Sequence, residues 1–485
     1  MDQLSLVNNI LANLPEIKGP LQKHVPFKQK LKWTLIVLVL FYVLSAIPLY
    51  GLGQNALANF EFLSIILGAS FGSILSLGIG PIVTASIVLQ LLKGSGLINI
   101  DTSTHEGRVF FQGIQKVLAI FFIIFEGAIY VFMGGLSPDP TLAPALFREM
   151  EFILIGQLIL GGIIVLYMDE VINKWGFGSG VSLFIAAGVS QQLLIRAFSP
   201  LTSAGTWAFG SGEAPVGAVW VLVRSLAGGN PGEAGRALSG ILATVFVFVI
   251  AVYAQAMKVE IPLSFGRVRG HGIRWPLAFL YTSNIPVILV AALIANVQLG
   301  ARLLQNQVTN ATGGVLLWIS EHLVGQFSGN VPISGIVKWV FAPNLIAEIF
   351  AAFSSGSFNW LSIGQAFTYS IFMIIGAVIF SIFWMQTAGM DAGSQARQIM
   401  SSGLQIPGFR RDERVLERIL SRYILPLTIM GGIAIGFLAA SADVLGALTN
   451  GTGLLLAVMI IYRLYEEIAQ HHMMDMYPAL RRMMT

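Results

Sequence analysis

Ten charge-poor apolar runs, at roughly 33–50, 74–92, 117–133, 152–168, 181–195, 237–256, 275–295, 363–385, 423–440 and 445–462, leave this chain few folds to choose from. A bilayer core about 30 Å thick is crossed by roughly 20 helical residues. Most of the runs have that length, and those at 152–168 and 181–195 are short enough to need their flanks. Charged residues make up only 11% of the 485, whereas soluble domains carry about a quarter. The chain is therefore predicted to be an all-α membrane protein whose helices satisfy their own backbone hydrogen bonds where water cannot. The 32 residues before the first run are mostly polar and hold five lysines, which is not the pattern of a cleavable signal. Cysteine is absent, which removes disulfides and thiolate metal sites; neither a metal nor a cofactor is expected.

Lysine and arginine set the predicted orientation. Ten spans put both termini on one side, and the segments on that side hold 22 of the 28 basic residues. By the positive-inside rule that side is the cytoplasm. A division into five and five spans starts the second half from the opposite side, so the halves would be related by inverted topology. The expected organisation is a cytoplasmic segment 1–32, a first half 33–196, an external loop 197–236, a second half 237–464 with a long external loop 297–362, and a cytoplasmic tail 465–485. Within the first segment, LSLVNNILANLPEIK (4–18) reads as an amphipathic anchor on the membrane surface.

Between the first two spans lies GQNALANFEFLSIILGASFGSILSL (53–77), apolar but broken by Gly68 and Gly72. Such a segment is either a hairpin packed on the bundle or a re-entrant piece sheltered by protein or a water-filled cavity. GIGPIVTASIVLQLL follows, and its Gly78 and Gly80 let the chain turn. Pro81 suits the first turn of the next helix, where its missing N–H costs nothing.

That run, continued as GIGPIVTASIVLQLLKGSG (78–96), stands in order with WGFGSGVSLFIAAGVSQ (175–191), RWPLAFLYTSNIPVIL (274–289), PGFRRDERVLERIL (407–420) and GALTNGTGLLLAV (446–458). Together they resemble the SecY family, the channel-forming subunit of the protein translocon, in its archaeal form. The resemblance implies a protein-conducting channel in the cytoplasmic membrane, not an enzyme. Such a channel would translocate unfolded secretory chains and release transmembrane segments laterally into the bilayer. It also implies a plug helix at about 55–72 and a ring of aliphatic side chains at the constriction. The family motifs carry that ring onto Ile79, Val83, Val181, Ile185, Ile288 and Leu456. An aliphatic neck offers a hydrated ion no hydrogen bonds and can gate by dewetting. Polar residues at the laterally opening seam correspond to Thr84, Glu126 and Asn284, with Glu126 where the family also uses Gln.

Partners follow from the same resemblance: SecE-like and Sec-beta-like small membrane subunits, signal sequences and nascent chains, and the ribosome. Two basic loops, KVEIPLSFGRVRGHGIR (258–274) and GFRRDERVLERILSR (408–422), would offer Arg267, Arg269, Arg410 and Arg411 to ribosomal RNA phosphates and ribosomal proteins. No GxxxxGK[ST] motif is present, so the driving energy would come from a partner. The rival reading is an ion-coupled secondary transporter with inverted repeats. Such carriers keep ionisable groups at membrane depth, and within the ten apolar runs only Glu126 qualifies.

Overall fold

The computed structural model describes residues 15–20, 25–55, 70–94, 97–98, 100, 105–202, 206–209, 213–265, 272–282, 285–308, 318, 323–328, 331–356, 358–401, 404–405 and 412–476. In chain order the elements are α1 (Phe27–Ser45), β1 (Leu52–Asn55), α2 (Gly80–Gly94), α3 (His105–Phe132), β2 (Leu136–Pro138), α4 (Pro144–Trp175), α5 (Gly180–Phe198), α6 (Ala218–Ala227), α7 (Pro231–Ala256), β3 (Lys258–Phe265), β4 (Gly272–Ala278), α8 (Ile285–Val308), β5 (Phe327–Ser328), β6 (Val331–Pro332), α9 (Gly335–Trp339), α10 (Leu345–Ser355), α11 (Leu361–Thr387), α12 (Ala392–Ser401), β7 (Leu404–Gln405), α13 (Glu413–Val444) and α14 (Gly451–Met476). Each of the ten apolar runs coincides with or overlaps a long helix, α1 to α5, α7, α8, α11, α13 and α14. Among the described residues, six stretches, in α3, α4, α5, α7, α11 continued to Ser401, and α13, are long and apolar enough to cross a membrane by length and composition.

Helix bounds differ from the sequence expectation where polar flanks continue a helix or where proline redirects the chain. The fourth run is not short, because α4 is 32 residues long and carries its charged flanks at both ends. The second helix starts at Gly80, not at residue 74, and the seventh starts at Ile285 rather than 275. Residues 275–278 belong instead to β4, which pairs antiparallel with β3 from Lys258↔Ala278 to Ser264↔Gly272. β7 pairs on the other edge of β3. The connection between α7 and α8 is therefore a hairpin extended into a three-stranded sheet, an element the apolar pattern did not disclose.

By contact the chain forms two compact units, Met1–Gly188 with Ile460–Thr485, and Val189–Met459. In the first, α1 packs on α4 and α3 lies against both α2 and α4. Gly161 and Gly162 on α4 make this approach possible: a Cβ on Gly161 would stand 2.0 Å from the Ile74 carbonyl oxygen, and one on Gly162 would stand 2.7 Å from Ile123. Residues 15–18 are strapped to α3 and to the end of α4. Lys116 donates to the Pro15 carbonyl at 2.6 Å, Lys174 to that of Ile17 at 2.6 Å, and Trp175 Nε1 to that of Lys18 at 3.0 Å. Lys174 also pairs with Glu16, and this hydrogen bond holds the Glu16 carboxyl below the usual carboxylate range. A depressed carboxylate keeps its contact at neutral pH and loses it as pH falls through the depressed value.

The second unit is built round α13 and α11, with α7, α8 and α14 contributing to one buried cluster that includes Val247, Val290, Met373, Ile435 and Leu455. Gly432 and Gly436 sit four apart on α13. A Cβ on Gly436 would lie 2.8 Å from Ile374 Cα, and one on Gly432 would lie 3.1 Å from Val378 Cα. Helices in lipid gain little from hydrophobic exclusion and associate by close packing, for which paired small residues clear the space. Gly436→Val is expected to cost about 1–3 kcal/mol by overpacking, read as a lower thermal unfolding midpoint of the purified protein. Gly156→Ala, whose added carbon meets nothing within 4 Å, is expected to leave that midpoint unchanged or raise it.

Candidate functional site: helix starts that present aliphatic side chains

All six candidate ring residues lie at a helix start. Ile79 is the residue before α2, and its carbonyl accepts from Val83 N at 3.0 Å. Its side chain is fully buried, while Val83, fourth residue of α2, is half-buried. Val181 and Ile185 are the second and sixth residues of α5, Ile288 is the fourth of α8, and Leu456 is the sixth of α14. Ile185 and Leu456 are buried; Val181 and Ile288 are half-buried.

These starts fall into two local patterns. α2 opens Gly80-Pro81-Ile82-Val83 and α8 opens Ile285-Pro286-Val287-Ile288, with proline second and the candidate fourth. α5 opens Gly180-Val181-Ser182-Leu183-Phe184-Ile185 and α14 opens Gly451-Thr452-Gly453-Leu454-Leu455-Leu456, with glycine first and the candidate sixth. Proline second in a helix gives up only an N–H that has no partner inside the helix anyway.

The approach to α2 is pinned at both ends of the segment between α1 and α2. Leu49 N donates to the Gly72 carbonyl at 2.8 Å and Ile74 N to that of Ile47 at 3.0 Å. Ser70 Oγ reaches the Ser45 carbonyl at 3.2 Å. Ahead of it, β1 pairs with β2, Asn55 against Leu136. Gly72 and Gly78 adopt positive φ, +93° and +54°, where a side chain is disfavoured. The expected plug spans about 55–72, and its residues 56–69 lie outside the described residues.

Of the expected seam residues, Thr84 on α2 and Glu126 on α3 stand near each other, hydroxyl beside carboxyl. Asn284 lies outside the described residues. So do Arg267, Arg269, Arg410 and Arg411, although the strands that lead into their loops do not. β3 pairs with β7 through Ser264↔Gln405 and Phe265↔Leu404, so both basic loops leave one sheet. Arg274 and Glu260, opposite its hairpin arms, pair at 2.9 Å. Among the described residues, no group of three or more His, Asp or Glu is placed to hold a metal ion.

Sequence reasoning missed two aspartates. Asp169, in the last turns of α4, accepts from Val181 N at 2.8 Å through Oδ1 and from Asn173 Nδ2 at 2.9 Å through Oδ2. Asp443, at the end of α13, accepts from Gly451 N at 2.6 Å through Oδ1 and from the Tyr369 hydroxyl at 2.7 Å through Oδ2. The apolar windows ended at 168 and 440, just short of each. α5 is further held from α1: Phe41 stacks on Phe184 at 4.8 Å and the Tyr42 hydroxyl donates to the Ala187 carbonyl at 3.0 Å.

Comparison with known proteins decides the family. The SecY family model matches residues 73–465, and the model described as the plug domain of Sec61p matches residues 39–72. The chain belongs to the SecY family. It is 43% identical to the protein translocase subunit SecY of Methanothermobacter thermautotrophicus over 476 residues, 97% of each chain. With that of Pyrococcus horikoshii it shares 43% over 479 residues, covering 97% of this chain and 96% of the relative. A solved protein-conducting channel superposes with a TM-score of 0.75 at 39% identity, over 97% of this chain and 98% of that one. Sec61 in a canine ribosome–channel complex from the endoplasmic reticulum does so at 0.73 and 39%, with the same coverage. This SecY-family chain is thus a multi-pass membrane protein and a protein-conducting channel subunit rather than an enzyme, and the carrier reading is not favoured.

The nearness of the Thr84 hydroxyl to the Glu126 carboxyl predicts a hydrogen bond between α2 and α3. Thr84→Val removes the donor and leaves a half-buried carboxyl with one partner fewer, at a cost of about 1–3 kcal/mol. In a Glu126→Gln background the same change is expected to cost less. The difference, read from thermal unfolding of the four proteins, would be a coupling of about 0.5–3 kcal/mol; strictly additive changes would deny the bond.

Proposed function

We propose that this SecY-family chain conducts unfolded polypeptides through a neck lined by Ile79, Val83, Val181, Ile185, Ile288 and Leu456, and releases apolar segments into lipid at a seam that includes Thr84, Glu126 and Asn284. The observation that carries the neck is the paired register of the helix starts: proline second with an aliphatic residue fourth in α2 and α8, glycine first with an aliphatic residue sixth in α5 and α14. A chance scatter of isoleucines and leucines would not repeat both the opening residue and the offset. Aliphatic side chains suit the task because they deform round a passing chain without binding it in one register, and a narrow apolar neck resists ions by dewetting.

A seam follows from the second half of the task. A passing segment of roughly 20 apolar residues is favoured in lipid, while one central Lys or Asp opposes transfer by about 3 kcal/mol. Sorting therefore needs an opening to lipid and no catalytic group. Residues 55–72 serve as the plug in this reading, supported by the match of 39–72 to the Sec61p plug model. Both termini are cytoplasmic in this reading, supported by the distribution of basic residues. The four arginines Arg267, Arg269, Arg410 and Arg411 dock on the ribosome, a reading supported by two basic loops leaving one sheet and by relatives solved in ribosome complexes. SecE-like and Sec-beta-like subunits complete the assembly.

Ile288→Asn tests the neck. An amide at that position favours wetting, so the reconstituted complex is expected to leak ions at rest and to accept substrates with weakened signal sequences, at near-normal thermal stability. A destabilised complex with no leak would assign Ile288 to packing alone and remove the neck reading.

Charge reversal tests the docking surface separately. Arg410→Glu with Arg411→Glu is expected to lower ribosome affinity, most at low salt, where phosphate contacts weigh most. Equal binding by parent and variant across a salt series would clear both arginines of the role.

A further inference from the structure

We infer that Asp169 and Asp443 are positioning residues of the conducting path, each clasping the first turn of a helix whose sixth residue belongs to the neck. The inference rests on the proposed neck, and adds to it the groups that hold Ile185 and Leu456 in place.

The two clasps are built alike. Each carboxylate stands near the end of one helix and accepts, through one oxygen, a backbone N–H from the start of the next: Val181 N at 2.8 Å for Asp169, Gly451 N at 2.6 Å for Asp443. The other oxygen is tied back within the scaffold, by Asn173 in the first case and by the Tyr369 hydroxyl in the second. A carboxylate bound at both oxygens cannot swing, so the helix start it holds cannot slide.

Glycine completes each clasp. A Cβ on Gly180 would lie 2.6 Å from Asp169 Cα, and one on Gly451 would lie 2.1 Å from the Ala439 carbonyl oxygen. The start of each helix is thereby pressed against the end of the one before it, closer than any side chain allows. Neither arrangement is visible as a motif, since the aspartate precedes the N–H it holds by 12 residues in one case and by 8 in the other.

The consequence lies in register. The first N–H groups of a helix have no intrahelical partner, and an unclasped start can wind or unwind by a residue. One residue is about 100° of rotation at 3.6 residues per turn. Unwinding alone leaves the later residues where they are, but a helix no longer held at its start can rotate about its axis by such an angle, and that rotation carries Ile185 or Leu456 off its direction. A clasp that merely stabilised the fold would have no such effect on the path.

The experiment uses the reconstituted complex and four variants, Asp169→Ala, Asp443→Ala, Asp169→Asn and Asp443→Asn. Resting ion conductance and export of a substrate with a weakened signal sequence are read beside thermal stability. The alanine variants are expected to raise conductance several-fold and to relax substrate choice. The asparagine variants, which keep an oxygen to accept the N–H, are expected to stay near the parent. Tyr369→Phe, which releases one arm of one clasp, is the milder variant should Asp443→Ala not assemble, and is expected to leak less than it but more than the parent. Lost stability without leak, or asparagine as leaky as alanine, would overturn the inference. Ile288→Asn in the same assay separates the two readings: a leak there with tight clasp variants ends this inference alone, whereas no leak in any of them ends the neck as well.

Discussion

Backbone that starts a helix at membrane depth must find partners for its first N–H groups, because lipid and apolar neighbours supply none. That requirement explains residues that no hydropathy pattern accounts for. Proline second in α2 and α8 removes one of the orphan donors outright. Aspartate from the preceding helix satisfies the first donors of α5 and α14. A chain that simply crossed the bilayer ten times could place its helix starts in the headgroup region, where water serves. Starts that carry their own chemistry, followed within six residues by an aliphatic side chain, belong to a protein with a path through its interior.

Close approach is the second constraint. Gly161 against Ile74, Gly436 against Ile374 and Gly451 against Ala439 each admit a contact that a Cβ would forbid. These contacts tie the turn before α2 to α4, α13 to α11, and α14 to α13. The helices are thus packed backbone to backbone close to these helix starts.

Much of the fold was legible because hydropathy reports directly on lipid. Every apolar run meets a helix, and the motif GIGP marked a turn at Gly78 and Gly80 with Pro81 in the first turn of the helix that follows. What the sequence hid follows from the same logic. Asp169, Glu170 and Asp443 fell just outside windows defined by apolarity, yet lie in the helices that continue those windows. The strand Gly272–Ala278 was absorbed into a span because Trp275, Pro276 and Leu277 are as apolar as a membrane helix. Strand pairing between residues 264 and 405 is a contact across some 140 positions, which no local pattern encodes. The candidate ring and the candidate seam were both named through family motifs; neither was readable from periodicity, since an isoleucine facing a path and one facing lipid look the same in a sequence.

The fate of the carboxylates at depth bears on what the path can carry. A carrier binds its ion or substrate with groups that are free to change partners. Here the Glu126 carboxyl stands beside the Thr84 hydroxyl, Asp169 holds Val181 and Asn173, and Asp443 holds Gly451 and Tyr369. Each is committed to structure, two of them through both oxygens. Surrendering those bonds to a cargo would release the helix starts they hold, so cargo binding and neck geometry would compete for the same atoms. A channel avoids that conflict by asking nothing of its cargo but size and hydration, a demand that the proposed neck of aliphatic side chains would meet.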